Sequence, residues 1–352
     1  MRIIEIGKAP VSLRGPVRKK AFSVMQRRSF FVKEFKTTSE QIELLKQRGL
    51  IIPDEERAKK YLLSQNYYNL INGYARFFPR EGDNYTAQTS FDEITSLYVF
   101  EREFKQVLLL GILEAETHLR SIFAHRFAEK FKDEPYAYLN INCYEQDKTL
   151  LVAKTISNLS RKILAHNKDK SNKSSSIAHY LRKYKHVPIW VLVNHIEFGE
   201  LRYLLKHSKK SLQNNICKDC LEFIGQNIPD NNSQFQPETL NSFLENINDI
   251  RNICAHNNRL LGFRCHQSTK YWAPLHEKYN IQKEDERRSA YEAFITLQCF
   301  ISRNEYAIMH NTFKKRFKTL SNKLKTIPVN NVLKELGFPD NWHIDNDKIE
   351  QL

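Results

Sequence analysis

Only 10 glycines and 11 prolines punctuate this chain of 352 residues. That is about 3% of each, where globular proteins typically carry about 7% glycine and 5% proline. These two residues supply the backbone angles that tight turns demand, so a chain poor in both reverses direction seldom. A β-sandwich, a closed barrel or a glycine-looped nucleotide fold is disfavoured, and long helices with few connections remain. Strand-like alternation is sparse throughout. The expected fold class is all-α: two related helical units of bundle type, preceded by a small helical segment. Apolar residues make up 41% of the chain, with 22 Phe and 16 Tyr, enough to bury a core.

The longest apolar runs, Val107–Leu113 and Val187–Val193, are seven residues each, against the roughly 20 that a membrane span requires. No apolar stretch with a small-residue cleavage site follows Met1-Arg-Ile-Ile-Glu-Ile-Gly-Lys8. A soluble, cytoplasmic protein with no membrane partner is the expectation. Fifty-five Lys+Arg against 40 Asp+Glu leave a net charge of +15. The basic residues are not gathered on one amphipathic segment, so nucleic acid fits this charge better than an anionic membrane surface.

Residues 1–32, with Arg14, Arg18, Lys19, Lys20, Arg27 and Arg28, read as a mobile basic arm. Residues 33–90 read as a helical segment. There Thr38 or Ser39 caps a first helix that Gly49 stops, and Pro53-Asp54 opens a second. The aromatic stretch Asn66–Phe78 could stack bases, but aromatics at helical spacing more commonly build core. Residues 91–160 form the first helical unit, dominated by a long helix over Phe91–Lys132. Residues 161–352 form the second. It holds a polar loop around Asn167–Ser176, helices over Trp190–His207 and Glu238–His256, and a helical region over Glu284–Lys325. The basic run Phe313–Lys325 is either a solvated helix face or an RNA contact. Among six cysteines only Cys217-Lys-Asp-Cys220 forms a close pair, and no second pair or His-x3-5-His segment completes a metal site. No metal and no cofactor are expected.

One constellation carries chemistry. Arg251-Asn-Ile-Cys-Ala-His256 sets an arginine and a histidine five apart. The bare pattern is weak, since it recurs at Arg161/His166, Arg202/His207 and elsewhere. Helix geometry adds weight: Glu245, Asp249, Asn252 and His256 fall in one polar stripe beside an apolar stripe of Leu244, Ile247, Ile250 and Cys254. An internal echo adds more. Residues Leu113–His125 align without a gap on Leu244–His256, with six of thirteen positions identical, including Arg120/Arg251 and His125/His256. Ser121 stands where Asn252 stands, and Glu114 where Glu245 stands.

The stretch Arg251-Asn-Ile-Cys-Ala-His-Asn-Asn-Arg-Leu260 resembles the signature of the Abi-like family, the AbiD/AbiF-type abortive-infection proteins of the HEPN superfamily. The likeness extends to Phe35-Lys-Thr-Thr…Leu45-Lys-Gln-Arg-Gly-Leu50, Asn66-Tyr-Tyr-Asn-Leu-Ile-Asn-Gly-Tyr74, Pro188-Ile-Trp190…Glu197-Phe-Gly-Glu-Leu201 and Leu336-Gly-Phe-Pro-Asp-Asn-Trp342. The resemblance implies a helical, metal-independent ribonuclease of phage defence that binds RNA, in some members with a partner small RNA.

RNA carries its own nucleophile, the 2′-hydroxyl. Cleavage therefore needs a group to take that proton, a group to return one to the leaving 5′-oxygen, and a counter-charge for the phosphate. Histidine titrates near neutrality and arginine stays charged, so Arg251, His256, Arg120 and His125 are the catalytic candidates. Asn252, Ser121, Glu245 and Glu114 are candidates for orienting them. Two Arg–His pairs offer two proton-transfer groups, around one cleft of one chain or across a homodimer. Against this stands a bland reading, with core histidines and arginines paired to acids such as Glu245 or Glu114. A second function class is a non-catalytic protein holding a structured small RNA. A third, a DNA-binding regulator using residues 38–74, lacks a basic recognition helix.

Overall fold

The first helix, α1 (Thr38–Gln47), ends where Gly49 takes φ +80° and lies so close to the Tyr85 carbonyl oxygen that a Cβ would sit 3.0 Å from it. Asp54 opens α2 (Glu55–Gln65) by accepting from the Arg57 amide at 2.9 Å. These assignments come from a computed structural model, which describes residues 34–168, 175–229, 233–344 and 349–350. The expected basic arm and most of the expected loop at 167–176 lie outside the described residues. In the aromatic stretch, a π turn (Tyr68–Asn72) and a 3-10 turn (Ala75–Phe77) bury Leu70, Ile71, Tyr74 and Phe78, while Tyr68 stays exposed. Core packing is the main use of these side chains. A short antiparallel hairpin, β1 (Arg80–Glu81) with β2 (Asn84–Tyr85), is the sheet among the described residues.

Residues Phe91–Lys130 form α3, 40 residues long and therefore about 60 Å at 1.5 Å per residue. It contains no proline and a single glycine, and it starts on a reciprocal cap: the Glu93 amide donates to Ser90 Oγ and the Ser90 amide to Glu93 Oε2, each at 3.2 Å. Such boxes satisfy amides that the first turn leaves unpaired. There follow α4 (Thr149–Lys168), α5 (Ser176–Tyr184), α6 (Ile189–Leu192), α7 (Phe198–His207), α8 (Lys210–Asn227) and α9 (Pro237–Ala255). The chain continues through α10 (Ala273–His276), α11 (Ala290–Thr296), α12 (Arg303–Ser321) and α13 (Val329–Leu336). The class is all-α, as the scarcity of turn residues predicts.

The long helix α3 is the axle of the fold, with α6, α8, α9 and α12 packed against it. Gly111 lets α12 come close, since a Cβ there would stand 2.8 Å from Met309 Sδ. Phe104 stacks on Phe313 at 4.0 Å between centroids. Residues 38–352 form one compact unit, and one apolar cluster runs from Ile42 to Trp342. The expected division between residues 160 and 161 falls inside α4, whose Leu159 and Ile163 join that cluster. Two helices read from periodicity are broken. Trp190–His207 is α6, a 3-10 turn (Val193–His195) and α7, because Glu197 and Glu200 cap a fresh start. The region 284–325 is split where Ser302 and Glu305 cap α12 in the same manner. No described helix is long and apolar enough to cross a membrane.

Candidate functional site

The two echoed helices, α3 and α9, run antiparallel. Near one end, Lys105 Nζ on α3 donates to Asn257 Oδ1 at 2.8 Å and to the Asn258 carbonyl at 3.0 Å, just beyond the end of α9. Further along α3 and further back along α9, Arg251 Nε stands 4.0 Å from Glu116 Oε2. Arg120 Nη2 bonds the other oxygen of the same carboxylate and donates to the Ile196 carbonyl at 2.8 Å. Both motif arginines thus converge on Glu116, which is buried. Burial pushes the Glu116 carboxyl above its ordinary range, and the two guanidinium charges pull against that rise. Glu116 Oε2, Arg120 Nε and Arg251 Nε are buried and lack hydrogen-bond partners among the described residues, so polar capacity remains at the junction.

The histidines are placed differently. Arg120, Ser121 and His125 line a cleft of about 660 Å³ whose opposite wall is Trp190, Val193 and Asn194. His125 and Ser121 are exposed, and Trp190 keeps 54% of its surface in solvent. His256 closes α9 as its last half-helical residue and is also exposed, as is Asn252. The two asparagines after it explain the stop. Asn257 takes φ +52°, its amide bonds the Cys254 carbonyl at 3.2 Å, and the Asn258 amide bonds the Ile253 carbonyl at 3.0 Å. This is the Schellman pattern, with asparagine in the left-handed position that glycine usually takes. Beyond it, the Leu260 and Leu261 amides both donate to Glu101 Oε1 at 2.7 Å. Glu101 and Lys105 of α3 therefore clamp the segment that follows His256.

Lys105 of α3 holds the residues just after His256, whereas His125 stands twenty residues, about 30 Å at 1.5 Å per residue, further along the same helix, in a cleft that neither Arg251 nor His256 lines. The expectation of all four residues around one cleft is corrected accordingly: the arginines meet and the histidines diverge. A core role is excluded for both histidines by their exposure. The orienting candidates also part company. Glu245 faces Arg202 Nη1 of α7 at 3.3 Å, and Glu114 faces His118 and Glu305. The acid that the arginines share is Glu116, which sequence reading passed over although its spacing of four from Arg120 is the usual signature of a helical ion pair. Trp190 and the Glu101–Lys105 clamp were likewise missed as site residues, since only the fold brings them near.

Burial raises the Cys217 thiol to about 12 and the Cys220 thiol well above its ordinary value, so neither offers a thiolate. In the basic run of α12 and beyond, Lys314 is buried against the Trp342 ring and Arg316 pairs with Glu103 at 2.9 Å. Lys315, Lys318, Lys323 and Lys325 are exposed.

The helical architecture and the echoed Arg–His helices define a class that comparison with known families makes definite. The model of the Abi-like protein family matches residues 60–262, more than half of the chain, and the chain belongs to that family. The match includes both motif helices; the stretches 35–50 and 336–342 lie outside it. No curated protein and no solved structure matches the chain.

Proposed function

We propose that this Abi-like protein acts in bacterial phage defence as an RNA-binding, metal-independent endoribonuclease of HEPN type, restrained or guided by a structured small RNA. The observation that carries the reading is the pairing of two sequence-related helices whose arginines meet on Glu116 while both histidines stay open to solvent. A histidine takes the proton of the 2′-hydroxyl, an arginine offsets charge on the phosphate, and an imidazolium returns a proton to the leaving 5′-oxygen. The products are a 2′,3′-cyclic phosphate and a 5′-hydroxyl. His125 and His256 stand apart within one chain, so on this reading the second proton-transfer group comes from another copy, with His256 at its exposed helix end meeting its counterpart in a homodimer. Exposed Lys315, Lys318, Lys323 and Lys325 supply a sequence-independent hold on the RNA backbone. Trp190 offers a face on which an unpaired base stacks.

The second reading, a non-catalytic holder of a small RNA, is favoured by one observation: Glu116 already engages both guanidinium groups. Incubating the protein with total RNA in EDTA and mapping the new ends separates the two. Cleavage leaving cyclic phosphate ends, lost in His256→Ala while RNA affinity stays within about twofold, supports the nuclease. Strict dependence on added Mg²⁺ or Mn²⁺ for cleavage, or a His256→Ala protein that loses binding instead, overturns it. Purification from the native host at moderate salt, with sequencing of any attached RNA, tests the small-RNA partner.

A further inference from the structure

On the side of α3 turned toward α8 and α12, Glu114 and His118 stand one helical turn apart and face Glu305 from the first turn of α12. One donor atom from each lies within 4.8 Å of the other two. The geometry points to a binding site for a single divalent transition-metal ion, Zn²⁺ or Mn²⁺, that fastens α12 to the middle of α3.

The imidazole is oriented from outside the cluster. His118 Nδ1 lies 2.9 Å from the Phe300 carbonyl oxygen, which only accepts, so Nδ1 carries a proton and Nε2 is the nitrogen turned toward the cluster. The Phe223 ring stacks on the imidazole at 4.8 Å, with 15° between planes, and holds that orientation. A backbone carbonyl fixing the far nitrogen is the usual second support of a metal-binding histidine. Glu305 is oriented in the same way, because its Oε2 accepts from the Ser302 amide at 2.7 Å. That leaves Oε1 facing His118 Nε2 at 3.6 Å, too long for a hydrogen bond. Two ligands about 2.1 Å from a tetrahedral ion stand about 3.4 Å apart, close to that separation. Glu114 makes no hydrogen bond or ion pair among the described residues. Two carboxylates and one imidazole thus face a common gap. One nitrogen and two oxygens suit zinc or manganese, with water completing the shell.

The site lies about 10 Å along α3 from His125, seven residues at 1.5 Å each, and the cleavage chemistry proposed above makes no use of it. Its role is to brace the packing of α12 on α3, and its test is independent of nuclease activity. The full-length protein, stripped by chelator and dialysed, is titrated with ZnCl₂ and separately with MnCl₂ by calorimetry, and its Tm is followed. Binding of one equivalent with a rise in Tm is expected. Glu114→Gln, which removes a ligand that supports nothing else, should weaken binding at least tenfold and abolish the rise, with the Tm of the stripped protein unchanged. Absence of uptake by the wild type, or equal uptake by Glu114→Gln, overturns the site.

Discussion

Two helices of this protein carry the same skeleton, Leu-Glu, five residues, Arg, one residue, Ile, one residue, Ala-His, yet they use it differently. In α3 the position four before the arginine is Glu116; in α9 it is Ile247, fully buried in the core. One carboxylate consequently serves both arginines, and it belongs to α3. In α3 the histidine sits inside the helix with five more helical residues behind it, whereas in α9 the histidine is where the helix ends. Three residues after Glu-Ala or Glu-Asn the polarity of a second pairing is swapped: His118 faces the carboxylate of Glu305, while Asp249 accepts from His266 at 2.8 Å. A repeated pattern of side chains does not fix a repeated environment. What each helix packs against decides that.

The largest difference should appear in catalysis. His256→Ala is expected to lower the rate of RNA cleavage by about 10²–10⁴-fold, the usual worth of a proton-transfer group. His125→Ala should act mainly through substrate affinity in the Trp190 cleft, lowering the rate less than about tenfold. Single-turnover cleavage assays on both variants decide this, and equal rate losses would erase the distinction drawn between the helices.

The shared carboxylate comes next. Glu116→Ile gives α3 the residue that α9 carries and leaves Arg120 and Arg251 with no acid between them. A loss of about 3 kcal/mol in urea unfolding is expected, the scale for removing one partner of a buried ion pair. Unchanged stability would mean that the arginines hold their positions without Glu116. A smaller effect belongs to the end of α9: Asn257→Ala should cost about 1 kcal/mol, because alanine resists the left-handed backbone and leaves Lys105 short of an acceptor. Asn257→Gly should cost less, since glycine accepts that backbone freely.

The smallest effect concerns His266, whose hydrogen bond to Asp249 raises its pKa above the ordinary histidine value. The stabilisation this brings is present below that ordinary value and fades as pH climbs through the raised one. Asp249→Asn should return the titration of His266 to lower pH, as read by NMR. A titration that does not move would show the pair to be broken in solution.

Much of the fold is legible in the sequence. Scarce glycine and proline imply helices, and the periodicity places α3 at 91–132 and α9 at 238–256, within two residues of where they lie. The broken helices at Glu197 and Ser302 were hidden because apolar spacing runs on through a short turn, although each break carries its own Glu or Ser cap. The site was legible in its parts and not in its assembly. Periodicity tells which residues share a face of one helix, but not whether two helices run parallel or opposed. Opposed packing is what draws Arg120 and Arg251 together and drives His125 and His256 apart. The pairing of Glu116 with Arg251 is hidden for the same reason, since the two are remote in sequence, and its spacing of four from Arg120 is the local signal that remains.

The unbroken length of α3 has a consequence for how this protein tolerates change. The clamp at Glu101 and Lys105, the shared Glu116, and the cleft residues Arg120 and His125 are all carried on one uninterrupted helix. Inserting a single residue between Lys105 and Glu116 would leave the clamp in place and swing everything after it by about 100° around the axis. Glu116 would lose Arg251, and the cleft would lose one wall, with no side chain altered. Substitutions can be absorbed one at a time, but the count of residues along this helix sets the phase of every group it carries.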